Sequence, residues 1–272
     1  MGNMWRTKVY SSVFSRQCPA TLVKISKMSS GLNILIITQN QEQLLRSSIV
    51  DGLNTVPETL PTVLLWDDAG HELFKQLTKS KSYHGPQADY EIMRDRVDEI
   101  CEYLGDDGVL VELGAGSIPH TSVILEELYR HGAKTRYLAH DFCQKRLTQS
   151  LCRLTDELGS KYPDSPGRMR GIVGTYGQFV EWLSKTDELQ GRRVVVIWLE
   201  NSLSHVSDAD FPDMISMLMQ SISLSQAASS VLRFVDVVSW GIPEEDSQVC
   251  TALDDFLLQS AERHTPLTVK QG

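Results

Sequence analysis

The sequence lacks two features that would place the protein in well-defined classes. No apolar run approaches the ~20 residues of a membrane-spanning helix, so we predict no membrane partner. Basic residues are not in excess either, because 26 Lys and Arg face 35 Asp and Glu and the formal net charge is −9. A nucleic-acid-binding protein usually has a basic face, so we predict no nucleic-acid partner.

Cysteine is also scarce in this chain. The five cysteines are odd in number and show neither a CxxC motif nor a Cys/His metal spacing. We therefore expect no structural metal site and a reducing compartment, which favours the cytoplasm. The residues are Cys18, Cys101, Cys143, Cys152 and Cys250.

Acidic residues are absent from positions 1–41, which carry five basic residues. A basic, Ser-containing segment without acids is typical of a mitochondrial transit peptide, so mitochondria are the alternative location. A disordered extension, or translation that starts at Met28, accounts for the same composition. We expect residues 1–41 to be a basic, disordered extension.

Beyond this segment, the apolar pattern divides the chain into two regions. Residues 42–105 have mostly helical spacing and are predicted to form an N-terminal helical substrate lobe, whereas residues 106–272 alternate between strands and helices. The run VVVIWL is apolar at every position, which predicts a mostly parallel, doubly wound Rossmann-like α/β sheet covered on both faces. Strands are predicted near Val109–Leu113, Arg136–His140, Met169–Val173, Val194–Leu199 and Val231–Val238, and helices near Tyr90–Leu104, Thr121–His131, Lys145–Leu158, Phe179–Lys185, Ala209–Ser221 and Asp246–Glu262.

The segment VLVELGAGSIPHTSVILEEL, residues 109–128, is the most informative part of the chain. An apolar run ends in Glu112, turns through Gly114 and Gly116, and continues into an amphipathic helix. Glycines let the backbone approach a ligand closely, and a helix N-terminus offers unpaired N–H groups. A second apolar run ends in Asp141, where an acid can bind the hydroxyls of a ribose. These four residues predict a nucleoside-cofactor site and an enzyme.

Two nucleoside cofactors compete for this site. A nicotinamide dinucleotide needs a third glycine in G-x-G-x-x-G, and Pro119 stands at that position. S-adenosylmethionine has no pyrophosphate and needs only the tight turn, with Gly114 near its carboxylate and Asp141 on its ribose. We predict S-adenosylmethionine; the alternative is that the GAG sequence merely ends a strand.

Five ordered segments carry a family resemblance. They are LPTVLLWDDAGHELFKQLTKSKSY (residues 60–83), VELGAGS, LAHDF, GIVGTYGQFVEWL and VVVIWLENSLSH. In this order they resemble the histidine Nα-methyltransferase family of the ergothioneine pathway, which has a class I methyltransferase fold. GTYGQFVEWL followed by RRVVVIWL is most similar to the fungal branch, which includes the dimethylallyltryptophan N-methyltransferase of ergot alkaloid synthesis. The resemblance implies S-adenosylmethionine-dependent N-methylation of a small-molecule amine, namely an amino acid or a tryptophan-derived secondary metabolite.

The resemblance also implies roles for residues outside the glycine turn. His120 stands where relatives have a basic residue that contacts the cofactor. The Gly174-Thr175-Tyr176 turn is similar to the adenine-binding element, so Thr175 and Tyr176 are predicted cofactor contacts. Tyr83 matches a tyrosine that contacts the substrate in relatives.

The chain departs from the family pattern after the predicted fourth strand. Relatives have a sequence close to GSSIGN, whereas this chain has ENSLSH, with Glu200 for a glycine and His205 for the asparagine. His205, which has an ordinary pKa of ~6.5, and Tyr83 are the predicted catalytic residues that orient the amine and take its proton through water. A helix cap or a surface position is the alternative for His205. Trp66 also replaces a tyrosine of the relatives.

Relatives extend well past the point that corresponds to Gly272, so the chain is expected to be short at its C-terminus. This departure leaves a second function open, that of a truncated or non-catalytic relative that binds cofactor or a partner without turnover. Homodimerisation that supplies the missing part is likewise left open.

Overall fold

Seven strands lie side by side in one sheet within the described part of the chain. The structure is a computed structural model, and it describes residues 24–27, 32–38, 41–56, 58–61, 63–64, 85–116, 119–199, 202, 206, 210–225 and 234–236. The strands are β1 (Lys24–Lys27), β2 (Asn33–Ile36), β3 (Val109–Leu113), β4 (Arg136–Asp141), β5 (Met169–Val173), β6 (Val194–Trp198) and β7 (Phe234–Asp236). The helices are α1 (Gln41–Leu53), α2 (Gly85–Leu104), α3 (Pro119–Arg130), α4 (Gln144–Lys161), α5 (Tyr176–Leu183) and α6 (Phe211–Leu224).

The strand order in the sheet is β1-β2-β5-β4-β3-β6-β7. Each neighbouring pair is parallel except β1 and β2, which are antiparallel. From β3 the chain moves outward through β4 and β5, then crosses to the other side of β3 to form β6 and β7. The direction of winding therefore reverses between β3 and β6, and ligands of such sheets bind at the carboxyl ends of the strands near that point.

Helices cover both faces of the sheet. On one face, α2, α3 and α4 share an apolar cluster that includes Met93, Leu125 and Leu151. On the other face, α5 and α6 contribute Phe179 and Leu218 to a second cluster. The predicted doubly wound, mostly parallel α/β sheet is confirmed. Helix α2, from the predicted N-terminal lobe, packs as part of the layer that covers the sheet.

The two N-terminal strands correct the expectation that residues 1–41 are disordered throughout. Strand β2 runs parallel to β5 and buries Ile34 against one face of the sheet and Leu35 against the other. Backbone pairing with β2 satisfies N–H and C=O groups at the edge of β5, and the apolar side chains of the short run NILII are buried on both faces of the sheet. The basic, Ser-containing composition of residues 1–41 led to the prediction of disorder although this apolar run lies within them. Residues 1–23 lie outside the described residues.

Most predicted elements of the sheet and its covering layers are present. The predicted strands correspond to β3 to β7, and the predicted helices between residues 90 and 221 correspond to α2 to α6, with ends that differ by one to several residues. Residues 65–84 of the predicted helical lobe and the predicted helix Asp246–Glu262 lie outside the described part of the chain. Of the described helices, none is both long enough and apolar enough to cross a membrane.

Candidate cofactor site

The glycine turn follows β3 at the carboxyl edge of the sheet. Gly114 has φ of +71° and Gly116 has φ of +41°, backbone conformations that favour glycine. A Cβ atom on Gly114 would lie 2.8 Å from Ser202 Cβ and 3.1 Å from the Tyr176 hydroxyl. Both the backbone angle and the lack of space therefore require glycine at position 114.

Asp141 meets this turn at the end of β4. Its Oδ2 accepts a hydrogen bond from the Gly116 N–H at 3.1 Å, although the two residues are 25 positions apart. Its Oδ1 accepts one from the Cys143 N–H at 2.7 Å. Arg146 Nη2 lies 3.3 Å from Oδ1 and 3.4 Å from Oδ2. The carboxylate is buried and held in place, and the predicted meeting of acid and glycine turn is present.

Glu112 lies inside β3 and is 3% exposed. It accepts a hydrogen bond from the Thr121 hydroxyl at 2.6 Å and a short one from the Tyr137 hydroxyl. Burial, followed by the charge of Glu112, raises the pKa of the Tyr137 phenol well above its ordinary value, so the phenol stays a donor. These contacts join β3, β4 and α3, which gives Glu112 a structural role. A direct contact with cofactor stays a prediction.

His120 occupies the first turn of α3, directly after the glycine turn. The residue is 5% exposed, and its ring lies 5.9 Å from the Tyr90 ring on α2 at an interplanar angle of 58°. The first N–H groups of a helix have no partner within that helix, so this end of α3 suits an anionic group. The position agrees with a residue beside the cofactor, and the contact itself stays a prediction.

Thr175 begins α5 through a capping box. Its hydroxyl accepts a hydrogen bond from the Gln178 N–H at 3.3 Å, and the Gln178 side chain accepts one from the Thr175 N–H at 3.0 Å. This reciprocal pair satisfies two N–H groups at the helix N-terminus. The T-x-x-Q spacing therefore has a structural reason in addition to the predicted role at the cofactor.

Tyr176 lies between the ends of three strands. Its ring centroid is 5.2 Å from that of His140 and 6.1 Å from that of Trp198. Burial raises the pKa of the Tyr176 phenol above its ordinary value, so the hydroxyl beside Gly114 is protonated at neutral pH. The structure places Tyr176 beside the glycine turn; a contact with the adenine stays a prediction.

The match to a protein-family model decides the family. The model, described as a histidine-specific, SAM-dependent methyltransferase, matches residues 45–241, which is most of the chain. This chain belongs to that methyltransferase family. The resemblance stated from the five segments is confirmed, and so is the class I methyltransferase fold that it implied.

Within the family, this chain is similar in sequence to several fungal N-methyltransferases. It is 34% identical over 196 residues to the N-methyltransferase benX of Aspergillus terreus, a match covering 70% of this chain and 52% of the relative. It is 29% identical over 239 residues to the N-methyltransferase dtpB of Aspergillus flavus, covering 85% and 65%. It is 22% identical over 224 residues to the 4-dimethylallyltryptophan N-methyltransferase easF of Claviceps fusiformis, covering 80% and 61%. The chain spans about half to two thirds of the length of these relatives.

The predicted catalytic residues of this methyltransferase family member, Tyr83 and His205, lie outside the described residues, as do Trp66 and Glu200. The structure therefore brings together the predicted cofactor residues and does not test the two predicted catalytic ones. Their roles stay predictions.

Sequence reasoning missed Arg146 as a partner of Asp141. Its side chain is 20% exposed, against 6% for Asp141, so the ion pair is largely shielded from water. Arg146 lies in the first turn of α4, where the helix dipole disfavours a cation. A basic residue in the first turn of a helix, five positions after an acid that ends a strand, is a signal for such a pair.

The hydrogen bonds of Ser202, in the turn that the sequence places at this edge of the sheet, are a second feature that the sequence did not reveal. Its hydroxyl lies 3.1 Å from the Leu113 carbonyl and 2.8 Å from the Leu199 carbonyl. It thereby fastens the turn after β6 to the end of β3, beside Gly114. The site is thus built from the ends of β3, β4, β5 and β6.

Proposed function

We propose that this chain is an S-adenosylmethionine-dependent N-methyltransferase that acts on the amino group of an amino acid or an amino-acid-derived secondary metabolite. One observation carries the proposal. In a chain whose residues 45–241 match the family model, the Gly116 N–H binds the Asp141 carboxylate at the carboxyl edge of the sheet. An acid and a glycine turn in this arrangement suit the ribose and the amino-acid part of the cofactor.

The residues present fit S-adenosylmethionine better than a dinucleotide. The turn at Gly114 leaves no room for a Cβ atom. Because glycine has none, the backbone of this turn can approach a ligand closely. Asp141 offers a buried carboxylate with both oxygens oriented by N–H groups. Pro119 occupies the position where a dinucleotide site has its third glycine.

When bound, S-adenosylmethionine supplies a methyl group on a positively charged sulfur, which is a strong electrophile. The work of the protein is then mainly to position the two reactants, and good positioning can account for ~7–11 kcal/mol of a barrier. Gly114, Gly116 and Asp141 would hold the cofactor. Arg146 shares the Asp141 oxygens through two long contacts, so ribose hydroxyls would compete with it for the same carboxylate.

The amine must be neutral to react, while a free α-amine has a pKa of ~8. Tyr83 and His205 are our candidates to orient the amine and pass its proton to water. Both assignments rest on the family pattern and on the chemistry of phenol and imidazole groups.

The methyl acceptor is proposed to be a tryptophan-derived amine of alkaloid type. The support is the similarity to relatives named N-methyltransferases, one of which is named for dimethylallyltryptophan. A cytoplasmic location follows from the scattered cysteines and stays a prediction, as does homodimerisation. Fluorescence microscopy of the tagged protein and sedimentation of the purified protein test these two points.

Calorimetric titration with S-adenosylmethionine, with NAD as the competing ligand, tests the cofactor. We expect micromolar binding of S-adenosylmethionine and none of NAD. Asp141→Ala should weaken binding at least about tenfold, because a hydrogen bond to a charged group contributes about 1.5–3 kcal/mol. Asp156→Ala, which removes an equal charge from an exposed position on α4, is the matched control. Equal affinity of both variants, or a folded protein that binds no S-adenosylmethionine, contradicts the proposal.

Turnover is measured as release of S-adenosylhomocysteine in the presence of tryptophan-derived amines, with histidine for comparison. Product with a tryptophan-derived amine supports the substrate class. Cofactor binding without product from any amine would point to a family member that does not catalyse.

A further inference from the structure

A buried histidine precedes Asp141 in β4. His140 follows the apolar sequence YLA and is 2% exposed. Strand side chains alternate, so His140 faces the side of the sheet covered by α5 and α6, opposite to Asp141. A polar ring in such a position needs hydrogen-bond partners, and its partners indicate what it does.

His140 contacts the turns on both sides of its strand. Its backbone carbonyl accepts a hydrogen bond from the Ala115 N–H of the glycine turn at 2.8 Å. Its ring Nε2 lies 2.9 Å from the carbonyl oxygen of Gly174, which begins the turn after β5. One residue therefore connects the ends of β3, β4 and β5, where the cofactor residues lie.

The hydrogen-bond pattern determines the state of the ring. A carbonyl oxygen can only accept, so Nε2 carries the proton. Nδ1 is buried and has no hydrogen-bond partner among the described residues. Burial lowers the pKa of His140 to about 4, and the ring is neutral at physiological pH.

The same ring supports the start of α5. Its centroid lies 5.2 Å from that of Tyr176 and 4.6 Å from that of Phe179, with interplanar angles of 39° and 37°. The His140 ring therefore contacts Tyr176, whose hydroxyl lies beside Gly114.

We propose that His140 is a positioning residue of the cofactor site. Its Nε2–H bond to the Gly174 carbonyl holds the Thr175–Tyr176 turn in place next to Asp141 and the glycine turn. The proposal rests on the proposed function, because it gives His140 a role in binding S-adenosylmethionine. A purely structural ring would fill the same space without needing its donor.

Two substitutions separate the donor from the ring. His140→Phe keeps an aromatic ring and loses the N–H group, and His140→Gln keeps an N–H group at similar reach and loses the ring. Tyr129→Phe is the matched control, since the Tyr129 hydroxyl is also a buried ring donor, 3.3 Å from the Thr135 carbonyl before the amino end of β4.

Calorimetric titration of each variant with S-adenosylmethionine tests the proposal. We expect His140→Phe to raise Kd several-fold to about tenfold, in line with the loss of one buried hydrogen bond. His140→Gln should restore most of the affinity, and Tyr129→Phe should leave it unchanged. Unchanged affinity in His140→Phe, or an equal loss in Tyr129→Phe, overturns the proposal. If the unaltered protein binds no S-adenosylmethionine, the proposed function fails first and the positioning role fails with it.

Long-range ¹H–¹⁵N spectra of the unaltered protein give a second readout. We expect the His140 ring to be neutral with its proton on Nε2 at pH 7. A proton on Nδ1 would mean that the bond to Gly174 is absent, and the proposal would then be wrong whatever the affinities.

Discussion

Substituting alanine for Gly114 perturbs the turn at the centre of the proposed site in two ways. The first is backbone strain, because φ of +71° disfavours any residue with a Cβ atom. The second is crowding, because that Cβ would lie 2.8 Å from Ser202 Cβ and 3.1 Å from the Tyr176 hydroxyl. Gly132, in the turn after α3, provides a control with only the first effect, since it has φ of +78° and no atom within 4 Å of a Cβ.

The two contributions have different magnitudes. A left-handed conformation costs a residue with a Cβ about 1–2 kcal/mol, which is the whole expected effect of Gly132→Ala. Inserting an atom into a closely packed site costs about 1–3 kcal/mol more, so Gly114→Ala should lose about 2–5 kcal/mol. A difference of about 2 kcal/mol corresponds to a further decrease in Tm of about 4–8 °C for a domain of this size.

Thermal unfolding with and without S-adenosylmethionine measures both consequences. Saturating cofactor at a hundred times Kd stabilises a binding protein by about 2.7 kcal/mol. Gly132→Ala should keep this increase in Tm, and Gly114→Ala should lose most of it, because Ser202 and Tyr176 must move away from the turn. Equal decreases in Tm for the two variants would refute the conclusion that a Cβ atom at position 114 is crowded by Ser202 and Tyr176.

Three further substitutions or conditions test the surroundings of the site. Thr121→Val should lower the free energy of unfolding by about 1.5–3 kcal/mol in urea titrations, because it removes a hydrogen-bond donor from the buried Glu112 carboxylate. Thr155→Val, the control, loses only a weak contact with a methionine sulfur at 3.8 Å and should lower the free energy of unfolding much less. The pKa of His140 in the folded protein is about 4, below its ordinary value of 6.5. As the pH falls, the unfolded chain therefore binds the proton first, and the free energy of unfolding decreases as the pH falls from 6.5 towards 4. The decrease between pH 7 and pH 5 should be about 2 kcal/mol. The same urea titrations at both pH values should show this loss for the unaltered protein and not for His140→Phe. Thr175→Ala should lower the free energy of unfolding by about 1 kcal/mol because it removes the capping box, and Thr175→Ser, which keeps the hydroxyl, should leave it nearly unchanged. Similar decreases for the two variants would show that the Thr175 hydroxyl does not stabilise the helix as a cap.

Sequence patterns predicted the sheet well because most residues of its central strands are apolar. Each of β3 to β6 is a run that must be buried on both faces, and each is followed by a helix with one apolar face. The N-terminal strands escaped prediction because β2 has only four residues within a basic segment. Its stability comes from pairing with β5, which no local pattern reveals.

The site was predictable to the extent that it depends on local geometry. Gly114 and Gly116 follow a strand, and Asp141 ends the next one, so their meeting follows from the rule that parallel strands share a carboxyl edge. The capping box at Thr175 could also have been read from its T-x-x-Q spacing.

Composition, apolar periodicity and the glycine turn are thus sufficient to indicate an α/β protein with a nucleoside-cofactor site, because these signals come from neighbours in the chain. The partners of His140 and Ser202 emerge only on folding. The His140 ring binds a carbonyl 34 positions away, and the Ser202 hydroxyl binds one 89 positions away. Such bonds depend on the order and register of parallel strands, which long-range packing establishes and local sequence does not encode.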